Sequence, residues 1–153
     1  MCWAHNNSDD NSDSDIWLSV GNKLGVFDKP RDISNTPGIS NDPALVADEA
    51  GRLAVVWSDT TRGANSSDIL GRVSLDAGST LSEVMDFSNK EGTSIHPDTA
   101  LSGNKLFVVW EDVLPTGRAI KATCSEIKGA PAITSPKPEP KKPAAHPTPK
   151  SEH

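Results

Sequence analysis

The chain has 153 residues and a formal net charge of −6, with 21 acidic against 15 basic side chains and 35% hydrophobic residues. The acidic balance argues against nucleic acid as a partner, and no apolar stretch approaches membrane-spanning length. The residues after Met1 turn polar at once, so no secretory leader is expected in this sequence.

In chain order, Trp3 closes a first short apolar segment. The loop from Asn6 to Asp15 follows and is the most acidic stretch of the chain. Asp9, Asn11, Asp13 and Asp15 alternate as calcium ligands do, which makes Asp9, Asp13 and Asp15 calcium candidates. The glycine and glutamate that a calcium loop carries at its sixth and twelfth positions are missing, so a solvated inter-strand loop with no cofactor is expected. Next come Ala44 to Ala47 and Leu53 to Trp57, joined by the hairpin signal Glu49-Ala-Gly51. Leu53 to Trp57 is apolar without alternation, the pattern of a strand covered on both faces. A third strand is expected over Asp68 to Leu75 and a fourth over Glu83 to Phe87. The pattern then starts again: Thr99 to Leu101, the turn Ser102-Gly-Asn104, Leu106 to Trp110, and Ala119 to Ile127. From residue 129 onward the chain is rich in proline and lysine, a composition that reads as a polyproline-like or disordered tail over 129–153.

The restart is a sequence repeat. Val55-Val-Trp-Ser-Asp59 returns 53 residues later as Val108-Val-Trp-Glu-Asp112, and Trp3 lies 54 residues before Trp57. Asp32-Ile-Ser-Asn35, Gly38, Ser40 and Pro43 match Asp86-Phe-Ser-Asn89, Gly92, Ser94 and Pro97. A fixed period of this length marks stacked repeats. Four short strands per period predict an all-β fold of antiparallel, four-stranded propeller blades. The expected units are a partial blade over 1–31, a full blade over 32–85 and a partial blade over 86–128. An antiparallel sandwich also uses short strands but leaves the repeat unexplained. So few blades cannot close a propeller. The chain is therefore expected to form a marginally stable open arc, to be a piece of a longer protein with further blades upstream, or to assemble head to tail, three copies of about two blades each giving six.

Within the complete unit, Ser74-Leu-Asp76-Ala-Gly78-Ser-Thr80-Leu81 resembles the Asp-box of sialidases and related propellers, Ser-x-Asp-x-Gly-x-Thr-Trp. Leu81 stands where that family prefers Trp. The resemblance covers roughly Trp3 to Glu126. For the box itself, Ser74, Asp76, Gly78 and Thr80 are expected to close a structural turn. For activity, the resemblance implies a tyrosine nucleophile and an arginine triad. The chain contains no tyrosine, and none of Arg31, Arg52, Arg62, Arg72 and Arg118 maps onto the triad. A non-catalytic binding module for a glycan or a protein is therefore expected, at a cell surface or outside the cell. The alternatives are a glycoside hydrolase fragment whose catalytic blades are absent, and a purely structural repeat. The candidate ligand-binding residues are Trp17, which breaks the repeat where Leu70 would stand, and the arginines Arg62 and Arg118.

Overall fold

The computed structural model describes residues 1–6, 13–63, 66–88 and 92–127; the proline-rich tail and Asp9 lie outside them. The described residues form ten strands and no helix, so none of them forms a helix long and apolar enough to cross a membrane. The strands make three antiparallel sheets in chain order. The first is β1 (Cys2–Asn6), β2 (Ser14–Leu18) and β3 (Arg31–Asp32). The second is β4 (Ser40–Ala47), β5 (Leu53–Asp59), β6 (Asp68–Ser74) and β7 (Met85–Asp86). The third is β8 (Thr93–Ser102), β9 (Lys105–Leu114) and β10 (Gly117–Glu126).

Each sheet is a meander of neighbouring strands, the arrangement of a propeller blade. The repeat places β1, β5 and β9 in equivalent positions, as it does β2, β6 and β10. Sheets and repeat units are out of phase by one strand. Asp32 pairs with Trp17, and Asp86 pairs with Leu70. The Asp-x-Ser segments expected to open the second and third units therefore supply the outer strands of the first and second sheets. The second sheet has four strands and the first and third have three each among the described residues.

A buried hydroxyl explains why this segment recurs. Ile16 N–H donates to Ser34 Oγ (2.9 Å), and Ser34 Oγ donates to Asp15 Oδ1 (3.1 Å). One repeat later Ile69 N–H donates to Ser88 Oγ (3.0 Å), and Ser88 Oγ donates to Asp68 Oδ1 (3.2 Å). Outer strands only two residues long leave backbone donors without a ladder partner. The serine takes the place of the missing ladder bond.

The core lies between the sheets. Ile16 and Leu18 of the first sheet pack on Leu53, Val55 and Trp57 of the second. Ala54, Val56, Ile69 and Val73 on the opposite face of the second sheet pack on Leu106, Val108 and Trp110 of the third. All seven residues of β5 are buried, matching the pattern of a strand covered on both faces. Strand β9 departs from that expectation: it alternates buried and exposed, because none of the described residues covers the far side of the third sheet. At Gly71 a Cβ would lie 2.7 Å from the Val55 carbonyl oxygen and 2.8 Å from the Phe87 ring, so this register position admits no side chain. Trp57→Ala is expected to cost roughly 3–5 kcal/mol, a large share of a small domain's stability. The urea midpoint of unfolding measures it.

Candidate functional site

The inner strands β4 and β8 each carry a proline near their start, in Ser40-Asn-Asp-Pro43 and Ser94-Ile-His-Pro97. Proline has no N–H to give to a ladder, and the register slips at both places, between Asn41 and Ala44 and between Ile95 and Asp98. The residue before each proline takes a left-handed backbone, with φ of 51° at Asp42 and 52° at His96. For non-glycine residues this stores about 1 kcal/mol or more. The bulges are anchored by buried pairs: Ser40 Oγ donates to Asp59 Oδ2 (2.9 Å), and Ser94 Oγ donates to Asp112 Oδ1 (2.7 Å). Asp59 also accepts from Thr36 Oγ1, and Asp112 from Trp110 Nε1. These recurrent carboxylates hold the scaffold; the residues they aim are Asp42 and His96.

Asp42 and His96 face each other across the second and third sheets. His96 Nε2 lies 3.9 Å from Asp42 Oδ2, and His96 Nδ1 lies 3.5 Å from Glu111 Oε2. Arg118 ion-pairs with Glu111. Its hydrogen bond, with a smaller contribution from His96, holds the Glu111 carboxyl below the usual carboxylate range.

Between the same two sheets lies an open cleft of about 450 Å³. Asn41, Asp42, Ser58, Thr60, Ser66, Ser67 and Thr93 line it with polar groups, and Ile39 and Ile95 add an apolar surface. The Ser67 backbone bridges to Thr93 and accepts from Ser94 N–H (2.7 Å), which ties the two sheets together beside the cleft. The Ser58 and Ser67 hydroxyls are buried, yet neither has a hydrogen-bond partner among the described residues. A buried hydroxyl left unbonded is unfavourable by about 1–3 kcal/mol. One repeat later the same positions hold Glu111 and Arg118, which satisfy each other. The second sheet has small neutral hydroxyls where the third has an ion pair.

None of the three residues expected to bind a ligand lines this cleft. Trp17 sits on the outer face of the first sheet, edge-on to the His5 ring at 5.5 Å. Arg62 is held by Asp68 (3.2 Å) and Asp86 (2.6 Å). Burial pushes the Asp68 carboxyl up, with Arg62 opposing it. Arg118 is engaged by Glu111 at the neighbouring rim. Of the calcium candidates, Asp15 is buried and accepts from Ser34, and Asp13 is half-buried. Among the described residues no group of three histidine, cysteine or acidic side chains is placed to hold a metal ion. Cys2 and Cys124 are both free thiols, in sheets on opposite flanks of the second.

The Ser74–Leu81 loop bonds to itself. Ser74 Oγ accepts from Gly78 N–H (2.8 Å) and donates to Asp76 Oδ1 (2.8 Å), while Asp76 accepts from the Thr80 N–H (2.8 Å) and hydroxyl (2.7 Å). Gly78 adopts φ of 85°, and Leu81 packs against the core between the first and second sheets.

The sequence signal for the cleft was there to read: Asp42 and His96 precede the matched prolines, and Ser58 and Ser67 interrupt the repeat where Glu111 and Arg118 stand.

No family model and no curated protein matches the chain. Among solved structures it is similar to a thermostable family-43 glycoside hydrolase, at 17% identity and a TM-score of 0.42, over 84% of this chain and 51% of that one. The chain thus spans about half the length of that enzyme.

Two stability measurements follow. Ser58→Ala and Ser67→Ala are each expected to leave unfolding free energy unchanged or to raise it by up to about 1 kcal/mol, since each removes an unbonded buried hydroxyl. The bonds from Thr80 and Ser74 hold Asp76 at about 2 against an ordinary 3.8, so its stabilisation is present above the unfolded value and lost as pH falls through about 2. Asp76→Ala is therefore expected to lower the melting temperature at neutral pH, with the difference closing near pH 2.

Proposed function

We propose that the chain is a non-catalytic, propeller-type binding segment that takes a neutral polyhydroxylated ligand, a glycan, in the cleft between its second and third sheets. The observation that carries this reading is the pair of buried, unbonded hydroxyls at Ser58 and Ser67. Stability alone would favour alanine at both positions. A ligand that donates to and accepts from them accounts for their presence. The volume suits one or two sugar rings. Sugar hydroxyls can donate to the Asp42 carboxylate and accept from the Asn41 amide, and the apolar ring faces can rest on Ile39 and Ile95.

Charge narrows the ligand further. Among the described residues the cleft lining includes the Asp42 carboxylate and no lysine or arginine, and Arg62 nearby is committed to Asp68 and Asp86. An acidic sugar would meet the Asp42 carboxylate, and His96, 3.9 Å from it, offsets that charge only when protonated. Within this reading the Ser74–Leu81 loop is the structural Asp-box of a sialidase-like blade, while the specificity is for neutral sugar. A glycan ligand goes with a cell-surface or extracellular setting.

A hydrolytic role needs two carboxylates facing each other across the scissile bond. At this cleft the Asp42 and Glu111 carboxylates both face the His96 ring, at 3.9 and 3.5 Å, rather than an open space for a sugar bond. This supports binding over hydrolysis.

Isothermal titration against a panel of neutral and acidic mono- and disaccharides tests the proposal. At least one neutral sugar is expected to bind, and Ser58→Ala and Ser67→Ala are expected to weaken it by about tenfold each, the loss that accompanies one hydrogen bond of about 1.4 kcal/mol. Binding confined to acidic sugars, or neutral-sugar binding unchanged in both variants, would contradict it.

A further inference from the structure

Two residues that precede prolines meet beside the cleft. Asp42 and His96 stand 54 residues apart, as Pro43 and Pro97 do. A residue before proline ordinarily takes an extended backbone. Both take the left-handed one instead, and such strain persists only where the surroundings hold it. The hold is present on both strands: Ser40 bonds to Asp59 behind one bulge, and Ser94 bonds to Asp112 behind the other. The repeat thus builds the same backbone device twice, and the sequence places an acid on one copy and a base on the other. Stacking brings the two side chains within 3.9 Å.

The charges around the His96 ring decide what a proton there does. From β4 the ring faces Asp42, and from β9 it faces Glu111 at 3.5 Å. From β10, Arg118 pairs with the same Glu111. The acids of β5 and β6 are turned to other partners, Asp59 to Thr36 and Ser40, Asp68 to Arg62 and Ser88. On β8 itself, Asp98 accepts from the Thr99 N–H. With the ring neutral, Asp42, Glu111 and Arg118 sum to one negative charge. That charge rests on Asp42, because Arg118 answers Glu111. A proton on His96 brings the sum to zero, and Asp42 is the carboxylate left to receive it. Histidine is the side chain that ordinarily changes charge between pH 5 and 8.

We infer that His96 is a proton-operated latch at the rim of the cleft: charged, it draws the Asp42 carboxylate of β4 onto β8; neutral, it leaves that carboxylate to the cleft. The latch joins two sheets of one chain and needs no ligand. It exists only in the folded state, where β4 and β8 lie side by side. Its stabilisation is therefore present in acid and lost as the pH rises and the ring gives up its proton. Its effect on binding rests on the glycan reading. Asp42 either accepts from a sugar hydroxyl or pairs with His96, so acid weakens the hold on sugar.

A double-mutant cycle on the full chain tests the latch. Asp42→Asn and His96→Asn both place a residue that accepts the left-handed backbone, so the bulges are kept. Urea unfolding is followed at pH 5.5, above the ordinary carboxylate range, and at pH 8. The pair is half exposed to water, so its expected coupling is about threefold in the folding equilibrium constant at pH 5.5 and none at pH 8. Coupling absent at pH 5.5, or equal at both pH values, would overturn the inference. Calorimetric titration with a neutral sugar separates the latch from the ligand. The unaltered chain is expected to bind about threefold more weakly at pH 5.5 than at pH 8, and His96→Asn equally at both. A loss in acid as large in His96→Asn would overturn the latch's control of the cleft. A chain that binds no sugar at either pH would contradict the glycan reading, and the unfolding cycle would still decide the latch.

Discussion

Strand β5 is dry on both faces, and the rest of the molecule is arranged around keeping it so. A sheet whose central strand reads Leu-Ala-Val-Val-Trp needs an apolar cover on each side, because neither face has polar side chains to show to water. The first sheet supplies one cover through Ile16 and Leu18, and the third supplies the other through Leu106, Val108 and Trp110. Stacking is thus imposed by composition. The same requirement, passed to the covering sheets, leaves Ile120 and Phe107 open at one end and Met1 open at the other.

Burial on this scale obliges the buried polar groups to pair. The recurrent aspartates and serines do that work: Ser34 with Asp15, Ser88 with Asp68, Ser40 with Asp59 and Ser94 with Asp112. They explain why the repeat retains so many acidic residues in a core-facing setting, and why those residues are poor candidates for chemistry. Beside the cleft, the Ser58 and Ser67 hydroxyls are buried without such a partner among the described residues.

Much of the fold was legible because it is periodic. The Val-Val-Trp runs, the hairpin turns and the third strands follow from apolar patterning and glycine placement, and the strands form where those signals put them. The phase of the sheets was not legible. Outer strands of two residues, Arg31–Asp32 and Met85–Asp86, carry too little apolar pattern to announce which sheet they join. Their assignment rests on the Ser34 and Ser88 hydroxyls, a tertiary contact. The uncovered face of β9 was hidden for a similar reason: Phe107 and Val109 are as apolar as Ala54 and Val56, and only the missing neighbour distinguishes them. The candidate site was legible in principle as a departure from the repeat. Trp17, Arg62 and Arg118 carry residue types common at ligand sites, and Arg62 and Arg118 are held in ion pairs.

The cleft between the second and third sheets joins these threads, since it exists only because stacking brings two bulged inner strands together and only the second sheet leaves hydroxyls unanswered there. A crystal structure of the chain soaked with a neutral disaccharide tests this most directly. The expected result is a sugar ring between Ile39 and Ile95 with its hydroxyls at about 2.7–2.9 Å from both Ser58 Oγ and Ser67 Oγ. A cleft without sugar, in which both serine hydroxyls donate to backbone carbonyls of their own sheets, would contradict it.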